Sequence, residues 1–587
     1  MTAARSVGSP SRQGELIEVV DLDHGSGASG FVGKMSEMSW IRRGFECVRA
    51  EEGHIRPDVG FSEIIHHLTT APDYSYFMDN TDVLAVDEDH VEQYEWPPGD
   101  SALILAEAYF HALQGAFQFI LRDQFLATLV SFPRQTMPSW GQRRWLAMAN
   151  LVWAVGSLWL QMTRLDNSEK IDTHLLYYAR ARALGIDHRI LFDHPDIERV
   201  QAIGLLAFYL LVNGSVTRAW NTLGPAIRHA TALGLHLKVS DPSLAEWDRE
   251  RRGRTWHSLY SLEILLCEIL GRPKAISLGD VTIPVTLSDS SHAGEQPKSP
   301  HAREFNLSEK SRMLWLDFLR AGRNIPQGMG GGALPWKSLA SVGHDILPAY
   351  LPQRLRLCRL SDKIAAQLYS GTSEDSWSET QRKIGQLQTD LSRWADKLPD
   401  ELAMQSSVSL DTDPRVKIEL ALYYHSLQMI LYRPCLCEVM IENESVRSQE
   451  FNRSAARACV HAAMSMLSMI PDNPSAHEAY QLLPWWALLH YVAQATAVLL
   501  LEMSVNAPHF SNEVEELTTH LRKAMAYLWC MTEGSLSAYR AWRIFRQLLS
   551  EVTNKYSGLG LEDIPEHAPQ PHGWREEHEM DIRRAFG

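Results

Sequence analysis

The residues of this chain that could do chemistry are scattered rather than gathered. Cys435 and Cys437 form a Cys-x-Cys pair directly after Pro434. A zinc site needs further ligands, and the nearest, Cys459 and His461, fall on a different predicted helix, so small buried thiols are the expectation. His66, His67, His188 and His194 have no partners at ligand spacing. The run Gly328-Met329-Gly330-Gly331-Gly332 has no Lys-Ser/Thr after it and no strand before it, so it fails as a phosphate cradle. Asp79-Asn80-Thr81-Asp82 and Asp166-Asn167-Ser168-Glu169 come nearest to the magnesium–diphosphate clusters of a terpenoid cyclase. The first sits in a Pro-rich connector, and the second lacks the spacing that puts ligands on one helix face. A helical enzyme is therefore only a remote alternative. Arg249, Arg251, Arg252 and Arg254 alternate with Asp248 and Glu250, the pattern of an ion-paired helix face rather than a DNA-contact patch. No catalytic, cofactor-binding or metal residue is expected.

Helices must carry all of these positions. The chain has 587 residues, 45% hydrophobic and 22% charged, an ordinary globular composition. Long segments have helical periodicity, and alternating strands bounded by turn residues are nearly absent, so the fold is expected to be all-α. The pattern is one of stacked antiparallel helix pairs in two halves, with no fixed repeat period. Residues 1–33, rich in Ser, Gly and charge, are expected to be disordered. Residues 34–100 form a connector whose acidic stretch (Asp87, Glu88, Asp89, Glu92, Glu95) is expected to be solvated. Residues 101–320 form an N-terminal helical half, 321–336 a Gly-rich linker, 337–556 a C-terminal half, and 557–587 a disordered acidic and aromatic tail.

Within the first half, a helix from His174 to Leu184 is stopped by Gly185, and Pro195 is expected in the first turn of the next. Ser215 is placed to cap a third helix, and Asp241-Pro242 to open the longest one, which reaches Leu270-Gly271 with a break permitted at Gly253. From Trp485 to Met503 the chain is apolar enough to resemble a membrane span, but His490, Gln494, Thr496 and Glu502 interrupt it, and a buried core helix is expected. The formal net charge of −15 gives no basic face for phosphates. Seven cysteines, an odd number, without a signal-like N-terminus point to a reducing intracellular compartment.

The segment from Gly253 to Val285, GRTWHSLYSLEILLCEILGRPKAISLGDVTIPV, resembles the regulatory domain of fungal zinc-cluster transcription factors. The resemblance is carried by Arg252, Arg254, Thr255, Trp256, Ser258, Leu259, Tyr260, Glu263, Gly271, Arg272, Pro273, Asp280 and Pro284, with His257 in place of a second Trp. Further blocks agree in order: Gly33 to Trp40, Tyr177 to Arg182, Ala219 to His236, and Leu431-Tyr432-Arg433-Pro434-Cys435-Leu436. Arg252, Arg254, Trp256, Glu263, Gly271, Arg272, Pro273, Arg433 and Pro434 are the signature positions, with structural roles: Gly271 and Pro273 as a helix stop, Arg272 pairing with Glu263 or Glu268 or covering helix-end carbonyls, and Trp256 as a packing anchor.

The resemblance implies a nuclear regulator of RNA polymerase II genes, acting through protein partners or a homodimer with no membrane association; the wealth of aromatic and aliphatic helices adds the expectation of an apolar pocket for a small-molecule inducer. Family members carry Cys-x-x-Cys halves that bind two zinc ions. That spacing is missing here, and Cys47 is the only cysteine before Cys267, so zinc is implied only through an upstream cysteine cluster. DNA contact is then expected through such a module or a partner. A helical scaffold or co-regulator that never binds promoters is the main alternative.

Overall fold

The computed structural model describes residues 19–20, 31–41, 44, 76–77, 85–98, 101–113, 115–133, 137–163, 173–186, 194–241, 243–285, 349–370, 376–402, 415–437, 445–505, 508–555, 561 and 563–571. The Gly-rich linker at 321–336, both acidic strings, His66, His67 and His188 lie outside them, as do most of the N-terminal segment and the tail. What is described is all-α, apart from two-residue strands β1 (Val19–Val20) and β2 (Phe31–Val32), which pair antiparallel.

The N-terminal half runs α1 (Ser101–Leu113), α2 (Arg122–Ser131), α3 (Trp140–Thr163), α4 (His174–Ala183), α5 (Ile197–Val212), α6 (Val216–Ala232) and α7 (Glu246–Leu270). α3 is the central element, packing on α1, α4 and α5. α3 alone among the described helices has the length and apolarity to cross a membrane, yet 89% of its apolar window is buried within the protein. α5 is buried nearly all round because its sequence AIGLLAFYLLV has no polar face. Asp196 caps it by accepting from the Arg199 amide at 2.9 Å, so Pro195 stands before the cap rather than in the first turn. Ser215 occupies the cap position of α6, but its buried hydroxyl makes no capping bond. α7 starts at Glu246 rather than at Asp241-Pro242. It passes unbroken through Gly253, since burial of its apolar residues outweighs a propensity cost of about 1 kcal/mol.

The C-terminal half contains α8 (Tyr350–Leu368), α9 (Trp377–Asp396), α10 (Arg415–Cys437), α11 (Val446–Met469), α12 (Ala476–Leu482), α13 (Leu488–Ser504), α14 (Val514–Met531) and α15 (Leu536–Lys555). α10 pairs with α11, and α13 is enclosed by α10, α11, α14 and α15. The apolar stretch from Trp485 is thus a core helix of the protein, with His490, Gln494 and Thr496 fully enclosed.

One continuous buried cluster runs through both halves. Polar bonds fasten it: the Trp159 indole donates to the Tyr480 carbonyl at 3.2 Å, and the Trp485 indole to the Ala112 carbonyl at 3.2 Å. The acidic connector is not simply solvated. Glu95 pairs with Arg180, and Glu88 with Arg182 at 2.9 Å, drawing the connector onto α4. Within the expected tail, Leu561 and Ile564 are buried, and the His567 carbonyl accepts from the Trp529 indole at 3.0 Å.

Candidate functional site

Three of the signature residues, Gly271, Arg272 and Arg433, meet beneath residues 31–41, where α7 ends. Gly271 takes the left-handed conformation (φ 67°), which an L side chain resists, and its amide closes the helix on the Cys267 carbonyl at 2.8 Å. The Gly33 amide donates to the Leu270 carbonyl at 3.1 Å. A Cβ on Gly33 would lie 1.9 Å from the Gly271 carbonyl oxygen, and one on Gly271 would lie 2.4 Å from that of Gly33. Only two glycines permit this backbone contact.

Arg272 reaches across instead of back. Its Nε donates to the Phe31 carbonyl at 2.8 Å, and its guanidinium lies over the Trp220 ring. The anticipated partners are engaged elsewhere. Glu263 accepts from the amides of Ala275 at 2.6 Å and Ile276 at 3.1 Å, folding the chain after Pro273 against α7; burial pushes its carboxyl up, against the pull of those two amides. Glu268 accepts from Ser361 of α8 and from the Tyr423 hydroxyl of α10 at 2.7 Å, which ties α7 to the C-terminal half. Burial pushes Glu268 up to about 7. Beside it, Arg354 and the Tyr350 hydroxyl both donate to Glu419, at 2.9 and 3.0 Å, a buried ion pair with hydrogen-bond support.

Arg433 holds the N-terminal segment from the other side. Its Nη1 donates to the Met35 carbonyl at 3.2 Å, and its guanidinium lies over Trp40 at 5.1 Å. Next to it the Glu37 carboxyl group accepts from the Tyr76 hydroxyl at 2.9 Å and lies 3.8 Å from the His490 ring. Burial pushes Glu37 up to about 8 despite the charge of Arg433, and pushes His490 down to about 3, so both are neutral near pH 7. Pro434 does not end α10, which continues to Cys437. Proline has no N–H to give the carbonyl four residues back, Ile430, and the Tyr369 hydroxyl fills that place at 2.6 Å.

The remaining signature residues lie along α7. Arg252 donates to the Leu233 carbonyl at 2.8 Å, closing the end of α6, and Arg254 bonds Gln118 and Glu250. Arg251 pairs with Asp248 at 3.2 Å, and Arg249 donates to the Leu244 carbonyl. Trp256 is buried beside the His236 ring. Sequence reasoning missed Glu37, Tyr76, Glu419, Gln494 and His490 as a set. The available signal was a charged or amide side chain inside an otherwise apolar helical run, which in α13 served only as an argument against a membrane span.

Among the described residues, no three His, Cys, Asp or Glu side chains gather to hold a metal. Cys459 donates to the Met429 carbonyl, and burial pushes the Cys358 thiol up to about 11 and Cys530 to about 12, so neither is a ready thiolate ligand or nucleophile. Among the described residues, the cysteines therefore do not form the zinc cluster of the resembled family.

Residues 106–396 match the family described as the fungal specific transcription factor domain, and the chain belongs to that family of fungal transcriptional regulators. It is similar to "Transcription regulator galc" of Aspergillus niger, 25% identical over 612 aligned positions that cover 95% of this chain and 72% of that protein. "Transcription factor FBD3" of Gibberella moniliformis is 23% identical over 71% of this chain and 52% of its own length. "Activator of stress genes 1" of Saccharomyces cerevisiae is 22% identical over 70% of this chain and 39% of its own. The chain thus spans about half or less of the length of the latter two relatives.

Proposed function

We propose that this chain regulates transcription in the nucleus through its helical body, which acts on protein partners and holds its own N-terminal segment in a fixed place. The observation that carries the reading is the family match over residues 106–396. The chemistry of the junction supports it: the Leu270 carbonyl, Arg272 and Arg433 hydrogen-bond the backbone of residues 31–35 rather than presenting reactive groups. An effector body that grips the segment entering it can pass a change in its own packing to whatever that segment is joined to. Promoter contact is assigned to a zinc module or a DNA-binding partner, because a chain of net charge −15 supplies no basic excess.

The test fuses the full chain to a heterologous DNA-binding domain in a fungal host that carries the matching reporter. A several-fold change in reporter output, in either direction, is the expected result. An unchanged reporter, with the fusion shown to be nuclear and bound at its site, would remove the effector role and leave the scaffold reading.

A further inference from the structure

The side chains packed under residues 35–41 include a buried cation with no anion. Arg433 is 1% exposed, and among the described residues it forms no ion pair. Its Nη1 is used on the Met35 carbonyl, while Nε and Nη2 have no hydrogen-bond partner. Nε–H and Nη2–H are the two parallel donors on one edge of a guanidinium, the edge that grips a carboxylate with two bonds. The ring of Trp40 accounts for one face of the cation, worth about 0.5–2 kcal/mol, against a desolvation cost of several kcal/mol.

The neighbours lack partners too. Both nitrogens of His490, both polar atoms of Gln494 and Oε1 of Glu37 make no hydrogen bond, and these three side chains are at most 3% exposed. His490 and Gln494 are four residues apart on α13 and so share a face, and His490 lies 3.8 Å from Glu37. Native interiors leave very few polar atoms unsatisfied, and each costs about 1–3 kcal/mol. Seven such atoms, two on Arg433 and five on His490, Gln494 and Glu37, would be costly to leave unmet. With Glu37 and His490 neutral near pH 7, the fixed charge of the group is the single positive charge of Arg433.

We propose that Arg433, Gln494, His490 and Glu37 form a binding site for a small monocarboxylate bearing a hydroxyl group. The carboxylate lies on the Nε/Nη2 edge of Arg433. The Gln494 amide, the neutral His490 ring and the free oxygen of Glu37 receive the hydroxyl, since between them they offer both donors and acceptors. Residues 35–41 cover the site and supply Glu37, so occupancy and the seating of the N-terminal segment are linked. This is a polar site, unlike the apolar pocket read from the helix composition. It stands apart from the transcriptional reading, because binding is measured on the purified chain without DNA or reporter.

The test is calorimetric titration of the full chain with sodium acetate, L-lactate and D-glycerate, each against sodium chloride at equal ionic strength. Saturable binding is expected for lactate or glycerate and weaker binding for acetate, with Gln494→Leu reducing affinity at least about 10-fold and Arg433→Lys abolishing it. Gln494→Leu keeps the proposal testable if Arg433→Lys fails to fold, because it replaces an unpartnered buried amide with an apolar group of similar size. No saturable binding of any of the three up to about 20 mM would overturn the site. So would binding that Gln494→Leu leaves unchanged; in either case the cluster is an internally hydrated structural network.

Discussion

Replacing Glu37 by glutamine removes an ionisation that the fold opposes. In the unfolded chain this carboxyl titrates near 4.5, and in the folded protein burial moves it to about 8. A carboxyl whose folded pKa is raised loses its proton first in the unfolded state, so the native state is penalised as pH rises from 4.5 and fully penalised above 8. At pH 7 the proton must be held through 2.5 pH units above the unfolded value, which costs about 3 kcal/mol at roughly 1.36 kcal/mol per unit. The glutamine side chain carries no such penalty and keeps a carbonyl oxygen for the Tyr76 hydroxyl now bound at 2.9 Å. Glu37→Gln is therefore expected to stabilise the protein by about 3 kcal/mol at pH 7 and by nothing below pH 4.5. For a cooperative unit of several hundred residues that corresponds to a rise in Tm of about 3 °C. Urea unfolding followed by fluorescence of the 18 tryptophans, repeated from pH 4.5 to 8 in carboxylate-free buffers, measures the difference directly. A gain that stays flat across that range, or a loss throughout, would refute the argument from burial.

Tyr369→Phe is expected to cost about 1–3 kcal/mol by orphaning the Ile430 carbonyl, and much less in a Pro434→Ala background, where the restored amide takes that carbonyl; a double-mutant cycle in urea reads the coupling. Gly271→Ala places a Cβ 2.4 Å from the Gly33 carbonyl oxygen in a left-handed conformation, so limited proteolysis is expected to cut residues 31–41 faster than in the wild type, with a stability loss of at least about 1–2 kcal/mol. Burial lowers His174, His257 and His425 to about 4 and His490 to about 3. Groups with depressed folded pKa values take up protons first in the unfolded state, so stability falls as pH drops below 6.5. Glu37, Glu268 and Glu263, whose folded values are raised, oppose that fall in part, and the outcome is measurable as a Tm that declines from pH 6 to 4.5. At pH 8 a thiol reagent such as Ellman's is expected to label Cys358 and Cys530 far more slowly in the native protein than in urea, since burial holds both thiols protonated.

Much of the helical body is legible in the primary structure because its signals are local. Gly185 and Gly271 mark helix ends by conformational freedom that no other residue shares, and both take positive φ (85° and 67°). The apolar period of α5 and α13 identifies buried helices without any knowledge of their neighbours. Errors arise where a second local signal competes. Asp196, one residue after Pro195, takes the cap because its side chain reaches the Arg199 amide. Other outcomes depend on distant chain: Pro434 sits inside α10 without breaking it because the hydroxyl of Tyr369 replaces the missing donor.

By itself, then, the sequence determines an all-helical body, its helix boundaries to within a few residues, and the family it resembles, since periodicity, caps and motif spacing all act over a few turns of chain. Partner choice among its buried charges is a property of the tertiary structure alone. Arg272 faces Glu263 and Glu268 a few turns back along the chain, yet it binds the Phe31 carbonyl, while Glu268 joins α8 and α10. Glu37 meets Tyr76 and His490, and Arg433 meets Met35, across long stretches of sequence. The physical reason is that a buried polar group takes whatever partner the packed core brings within about 3 Å, and that distance is set by how helices stack, not by how far apart their residues lie in sequence.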